Sequence, residues 1–87
     1  MRSVLLSPRA FKELDFWFAY EPAIVAKIFA LIRDIQRDPF RGLGKPEMLK
    51  RDFQGLWSRR ITGEHRLVYK VEGDVIRVIQ CRSHYEK

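Results

Sequence analysis

The sequence predicts an α+β domain, with an N-terminal strand and two helices packed on one face of an antiparallel sheet. Three observations carry this expectation. Apolar residues recur at helical spacing up to position 35, residues 40–54 keep no sustained period, and short β-rich runs punctuated by glycine turns fill the remainder. Helices gathered in one half and strands in the other let the helices cover one sheet face and leave the second open. A chain of 87 residues builds one such domain, spanning 1–87, with a modest core and no second, cofactor-binding domain.

Val4, Leu5 and Leu6 form a brief apolar run suited to a first strand. Ser7-Pro8 ends it, because serine caps a helix and proline fits its first turn. Phe11, Leu14, Trp17 and Phe18 then recur at helical spacing as far as Tyr20, with Lys12, Glu13 and Asp15 on the wet side. Glu21-Pro22 breaks the helix and restarts it. Ile24, Ile28, Leu31, Ile32 and Ile35 make a second stripe, with Lys27, Arg33, Asp34 and Arg37 largely elsewhere on the wheel, until Asp38-Pro39 stops it. Both stripes read as core, although Trp17, Phe18 and Tyr20 leave ring surface for a partner helix. Gly42, Gly44 and Pro46 mark residues 40–54 as an irregular connection, and one that long calls for a functional reason. Strands follow at 57–61, 65–71 and 75–82, separated by Thr62-Gly63-Glu64 and Glu72-Gly73-Asp74, as an antiparallel meander. Trp57 and Tyr69 fall to the sheet core or its rim.

The net charge of +6 is unevenly spread: residues 1–39 carry six cations against five carboxylates, and residues 40–87 carry eleven against six. A basic half interleaved with Phe53, Trp57, Tyr69 and Tyr85 suits a polyanion, since Lys and Arg neutralise phosphates and aromatic rings stack on bases. The single Cys81 excludes an intrachain disulfide, and no Cys and His cluster has zinc spacing, so neither metal nor cofactor is expected. The amino terminus lacks a long apolar run, and no stretch approaches the ~20 apolar residues of a membrane span. A cytoplasmic protein away from membranes fits best.

The basic half also holds an inventory for cutting RNA without a metal. Cleavage through the ribose 2′-hydroxyl needs a base for that proton, an acid for the departing 5′-oxygen, and cations on the phosphate as its charge grows. Glu47, alone among Lys50, Arg59-Arg60, His65-Arg66 and the terminal Arg82-Ser83-His84-Tyr85, supplies a carboxylate. Pro46 stiffens its backbone, although nearby cations favour the ionised carboxylate and weaken it as a proton acceptor. Arg59 and Arg60, as strand neighbours, point to opposite faces, so one of them is structural or serves a second contact. Arg66 is the better phosphate clamp, because a planar guanidinium offers two parallel donors. His84 titrates near neutrality and suits a proton donor, and Tyr85 suits a base or a phosphate, though a terminus ordinarily frays. His65, at a strand start, reads as structural or hydrogen-bonding.

Three motifs then carry a resemblance. GKPEMLK at 44–50, WSRRITGEHRLVY at 57–69 and QCRSHY at 80–85 together resemble the YoeB branch of the RelE-type bacterial toxins, over nearly the whole chain including Arg37-Asp38-Pro39-Phe40. The resemblance implies the RelE-like microbial ribonuclease fold and a toxin of a type II toxin–antitoxin pair. Such a toxin enters the 70S ribosomal A site and cuts the messenger RNA, as a homodimer inhibited by a YefM-like antitoxin and touching operator DNA only together with it. It implies Glu47 as general base, Arg66 on the phosphate and His84 as general acid. Lys50 and Tyr85 orient substrate or contact phosphate, and Arg59 and Arg60 join the substrate-binding set. The chain departs from the family at Met48, where proline is common, and at Glu86-Lys87, which extend past the terminal tyrosine. A competing reading of the same residues is a basic module that blocks the ribosome or binds operator with its partner and cuts nothing.

Overall fold

The computed structural model describes residues 1–53 and 55–83. Strand β1 (Ser3–Leu6) leads into helices α1 (Pro8–Tyr20) and α2 (Pro22–Arg37), as the apolar stripes predict. After the connection come β2 (Glu47–Met48), a 3-10 turn (Arg51–Phe53), β3 (Leu56–Arg60), β4 (Arg66–Glu72) and β5 (Val75–Gln80). The five strands form one sheet in the order β1-β5-β4-β3-β2. The sheet is mixed, because the N-terminal strand β1, whose direction the sequence leaves open, runs parallel to β5, with Ser3 opposite Val75 and Leu6 opposite Val78. The two helices return the chain to start the remaining strands on the far side, so β1 can meet the sheet only at its β5 edge. The meander β3-β4-β5 is antiparallel as predicted.

Ser7 joins the two layers. Its Oγ accepts from the Ala10 N–H at 3.0 Å, capping α1, and donates to the Ile79 carbonyl of β5 at 2.7 Å. One hydroxyl thus satisfies an orphan helix donor and ties the helix start to the sheet. Ser7→Ala is expected to lower the unfolding free energy by ~1–2 kcal/mol, read from chemical denaturation.

The core lies between the helices and one sheet face. All five members of the α2 stripe are buried, and they pack with Trp17, Ile61, Leu67, Tyr69, Ile76 and Val78. The α1 stripe divides instead: Trp17 is buried, whereas Phe11 and Phe18 are 64% and 68% exposed and Tyr20 also faces outward. The exposed rings expected at Phe18 and Tyr20 are found, whereas the expectation of core for Phe11 and of exposed ring for Trp17 is corrected. Only one edge of α1 reaches the sheet, and Trp17 is on it, its Nε1 donating to the Cys81 carbonyl. No helix among the described residues is long and apolar enough to cross a membrane.

Candidate active site

Strand parity decides what each cation of the basic half can do. In β3, Trp57 and Arg59 turn toward the helices, and the alternate positions Leu56, Ser58 and Arg60 turn to the other face. Arg59 is fully buried. Its Nη1 donates to Asp34 Oδ2 and to the Leu43 carbonyl, its Nη2 to the carbonyls of Asp38 and Arg41, and its Nε to the Tyr69 hydroxyl. The Tyr69 hydroxyl in turn donates a hydrogen bond to the Pro39 carbonyl. Every nitrogen of the guanidinium is thus committed inside the protein. Assignment of Arg59 to substrate binding is corrected: it organises the connection that leads to Glu47.

Asp34 completes this cluster. It was expected on the wet side of α2, yet its Oδ2 also accepts from the Leu43 N–H at 2.9 Å, and its Oδ1 accepts from Arg37 Nη2 at 2.9 Å. Burial pushes the carboxyl pKa up, but the Leu43 N–H, Arg59 and Arg37 outweigh it and hold the group at about 2, below the ordinary 3.8. A depressed carboxylate stabilises the fold fully above its unfolded pKa, and that contribution disappears as pH falls through the folded value. Acid unfolding should therefore show a one-proton dependence between about pH 4 and 2 that Asp34→Asn removes, measured as the slope of unfolding free energy against pH. No local signal marks Asp34, since its partner arginine lies 25 residues away.

The same connection needs glycine at Gly44, whose φ is +77° and where a Cβ would stand 2.9 Å from the Arg60 carbonyl oxygen. This close approach lets the Gly44 carbonyl accept from the Arg60 N–H at 2.7 Å, fastening the loop to β3 three residues before Glu47. Glu47 itself is in the two-residue edge strand β2, not in an irregular loop, with Glu47 opposite Ser58 and Met48 opposite Trp57.

Register now places the candidates. Ser58 lies opposite Val68, and Arg60 opposite Arg66. Glu47, Ser58, Val68, Arg60 and Arg66 therefore share the sheet face away from the helices. Two arginines directly opposite one another repel, and the turn carbonyls that take the Arg66 guanidinium, together with the exposure of Arg60, accommodate the pair. Glu47 and Arg60 are exposed, and Arg66 is half-buried with its Nη1 donating to the Thr62 and Gly63 carbonyls. Among the described residues no cation forms an ion pair with Glu47, and Arg59, which the sequence sets near it, is spent on Asp34 across the sheet. Lys50 is exposed in the loop joining β2 to β3. His84 and Tyr85 lie outside the described residues. The segment entering them is described to Ser83, whose carbonyl accepts from the Arg66 N–H at 3.1 Å, so the chain is delivered to the Arg66 end of the open face.

Cys81 takes no part in this chemistry. Burial and the neighbouring Glu13 carboxylate push its thiol up to about 12, and Sγ contacts the Ala10 carbonyl.

Residues 6–85 match the model of the YoeB-like toxin of bacterial type II toxin-antitoxin systems, which sets the class to which this fold and open face belong. The "Toxin YoeB" of Mycobacterium bovis is 47% identical over 85 residues, covering 98% of this chain and all of the relative. Among solved structures, the YoeB dimer from Staphylococcus aureus superposes with a TM-score of 0.90 at 39% identity, over 97% of this chain and 98% of that one. The YoeB-YefM complex from the same organism gives 0.88 at 38%, over 98% and 99%. The chain belongs to the YoeB toxin family.

Proposed function

We propose that this toxin is a ribosome-dependent endoribonuclease that cuts messenger RNA in the A site and so stops translation. The observation that carries the reading is the sheet face away from the helices, on which, beside the buried Ser58 and Val68, a carboxylate without an ion pair among the described residues and two opposed arginines stand together. Glu47 takes the proton of the ribose 2′-hydroxyl, the 2′-oxygen bonds to phosphorus, the bond from phosphorus to the 5′-oxygen breaks, and His84 protonates that leaving oxygen. Arg66, with Arg60 and Lys50, balances the charge growing on the phosphate, and Tyr85 orients the substrate. The products are a 2′,3′-cyclic phosphate and a 5′-hydroxyl end. These residues need no metal, cofactor or redox partner for that step.

The S. aureus relatives, solved as a dimer and as a complex with YefM, support a homodimer neutralised by a YefM-like antitoxin. On this reading the toxin works in the cytoplasm, and operator DNA is bound only by the joint complex. Mapping messenger ends on programmed ribosomes tests the activity. New 5′-hydroxyl ends that persist in chelator are expected, with no cutting of DNA, which lacks the internal nucleophile. Protection of the message without new ends would establish the alternative, a basic module that only blocks the ribosome, and cutting of naked RNA at the same rate would remove the ribosome requirement.

A further inference from the structure

Residues 81–83, which follow β5, are held more firmly than a chain end ordinarily is. From α1, Glu13 Oε1 accepts the Cys81 N–H at 2.7 Å, Trp17 Nε1 donates to the Cys81 carbonyl at 2.9 Å, and the Phe16 ring lies under the Arg82 guanidinium at 3.6 Å. From the sheet, Gln80 Nε2 donates to the Arg82 carbonyl, and the Arg66 N–H to that of Ser83. The last hold is on the Ser83 N–H, which donates to His65 Nδ1 at 2.8 Å. Ser83 has a φ of +69°, a left-handed conformation that costs a non-glycine residue and persists only where the surroundings over-determine it.

We propose that His65 is a positioning residue for the proton donor: by accepting the Ser83 N–H, its imidazole fixes the residue that immediately precedes His84. This role rests on the nuclease reading above. The ring is itself fixed, standing edge-on to Trp17 at 4.8 Å between centroids and 82° between planes. Trp17 thus serves both halves of the clasp, its indole nitrogen on Cys81 and its ring against His65. A neutral imidazole has one acceptor nitrogen, so using Nδ1 on Ser83 leaves the proton on Nε2, which faces Glu64 Oε1 at 3.8 Å. An acid displaced by about 1 Å loses on the order of 10²-fold in rate, so a hold one residue away matters to the chemistry without touching substrate.

Two substitutions separate the acceptor from the ring. His65→Asn keeps an acceptor near the Nδ1 position, and His65→Phe keeps the ring against Trp17 while removing the acceptor. In single turnover on programmed ribosomes, His65→Phe is expected to cut about 10–100-fold more slowly at an unchanged half-saturating concentration, and His65→Asn near the wild-type rate. Equal losses in both variants, or a wild-type rate in His65→Phe, overturn the role. A readout that needs no variant is the wild-type Ser83 amide by NMR, where slow exchange and a nitrogen-to-nitrogen scalar coupling to His65 across the hydrogen bond are expected. Exchange as fast as in an unstructured chain, with no coupling, overturns the clasp. If the wild type leaves the message intact, the nuclease reading falls and takes this role with it, whereas a cutting wild type with an indifferent His65→Phe overturns this role alone.

Discussion

Arg59→Met is expected to unfold the domain under conditions where Arg60→Met, one residue along, leaves it folded. Methionine fills the volume but abandons Asp34, the Tyr69 hydroxyl and the carbonyls of Asp38, Arg41 and Leu43 in a site that excludes water. Removing one partner of a buried charge pair costs ~3–5 kcal/mol, because the partner stays behind uncompensated. A domain of this size has only about 4–13 kcal/mol in total, so from roughly a quarter to all of its stability is at stake. At ~4–8 °C per kcal/mol the midpoint falls by at least about 12 °C. Arg60 is exposed, and its replacement should move stability by no more than ~0.5 kcal/mol. Arg59→Lys is expected to rescue only part of the loss, since one ammonium cannot span acceptors on both sides of a planar fork. Thermal unfolding of the three variants reads this directly, and equal midpoints for the methionine variants at positions 59 and 60 would refute the assignment of faces.

The largest functional effect is expected at Glu47. Glutamine preserves the size and hydrogen-bonding shape of the side chain and removes its basicity, so Glu47→Gln should lower single-turnover cleavage ~10²–10⁴-fold, the usual worth of a positioned proton acceptor. Ribosome binding and the thermal midpoint should hardly move, because Glu47 is exposed and has no ion pair among the described residues. Such a profile, a large loss in rate with binding intact, distinguishes a group that acts in the transition state from one that helps the protein dock. His84→Ala is expected to match it. A Glu47→Gln protein that cuts at the wild-type rate would move the base elsewhere on the open face.

The two predictions also mark what the residue pattern alone can and cannot convey. Both helices are legible, since an apolar stripe of five residues in α2 has no other way to be buried. That Arg59 and Arg60 face opposite ways is legible too, as it follows from the two-residue repeat of a strand. Which of them faces inward is not, because the answer depends on the register of β3 against β4 and on a carboxylate 25 residues earlier. Strand β2 escapes notice for a different reason. Two residues are too few to show alternation, and its pairing is produced by the Gly44 contact with Arg60, not by its own side chains. Phe11 misleads in the opposite sense: its spacing fits a helix well, but α1 touches the sheet along only one edge, so that large ring stays in water. The open face gathers Glu47 and Arg66 from separate motifs, a convergence that spacing along the chain does not reveal.

The strand order has a consequence for how the chain is made. β5 is the last strand to leave the ribosome, yet it lies in the interior of the sheet, between β1 and β4. Until it emerges, β1 has no neighbour to pair with and the isoleucine stripe of α2 lacks half its bed. The nascent chain must therefore wait for β5 before the sheet closes, and non-local pairing of this kind is slow to nucleate. The residues that follow β5 also carry the hydrogen bond from Ser83 to His65, so a polypeptide made only as far as β4 has neither a closed sheet nor that contact.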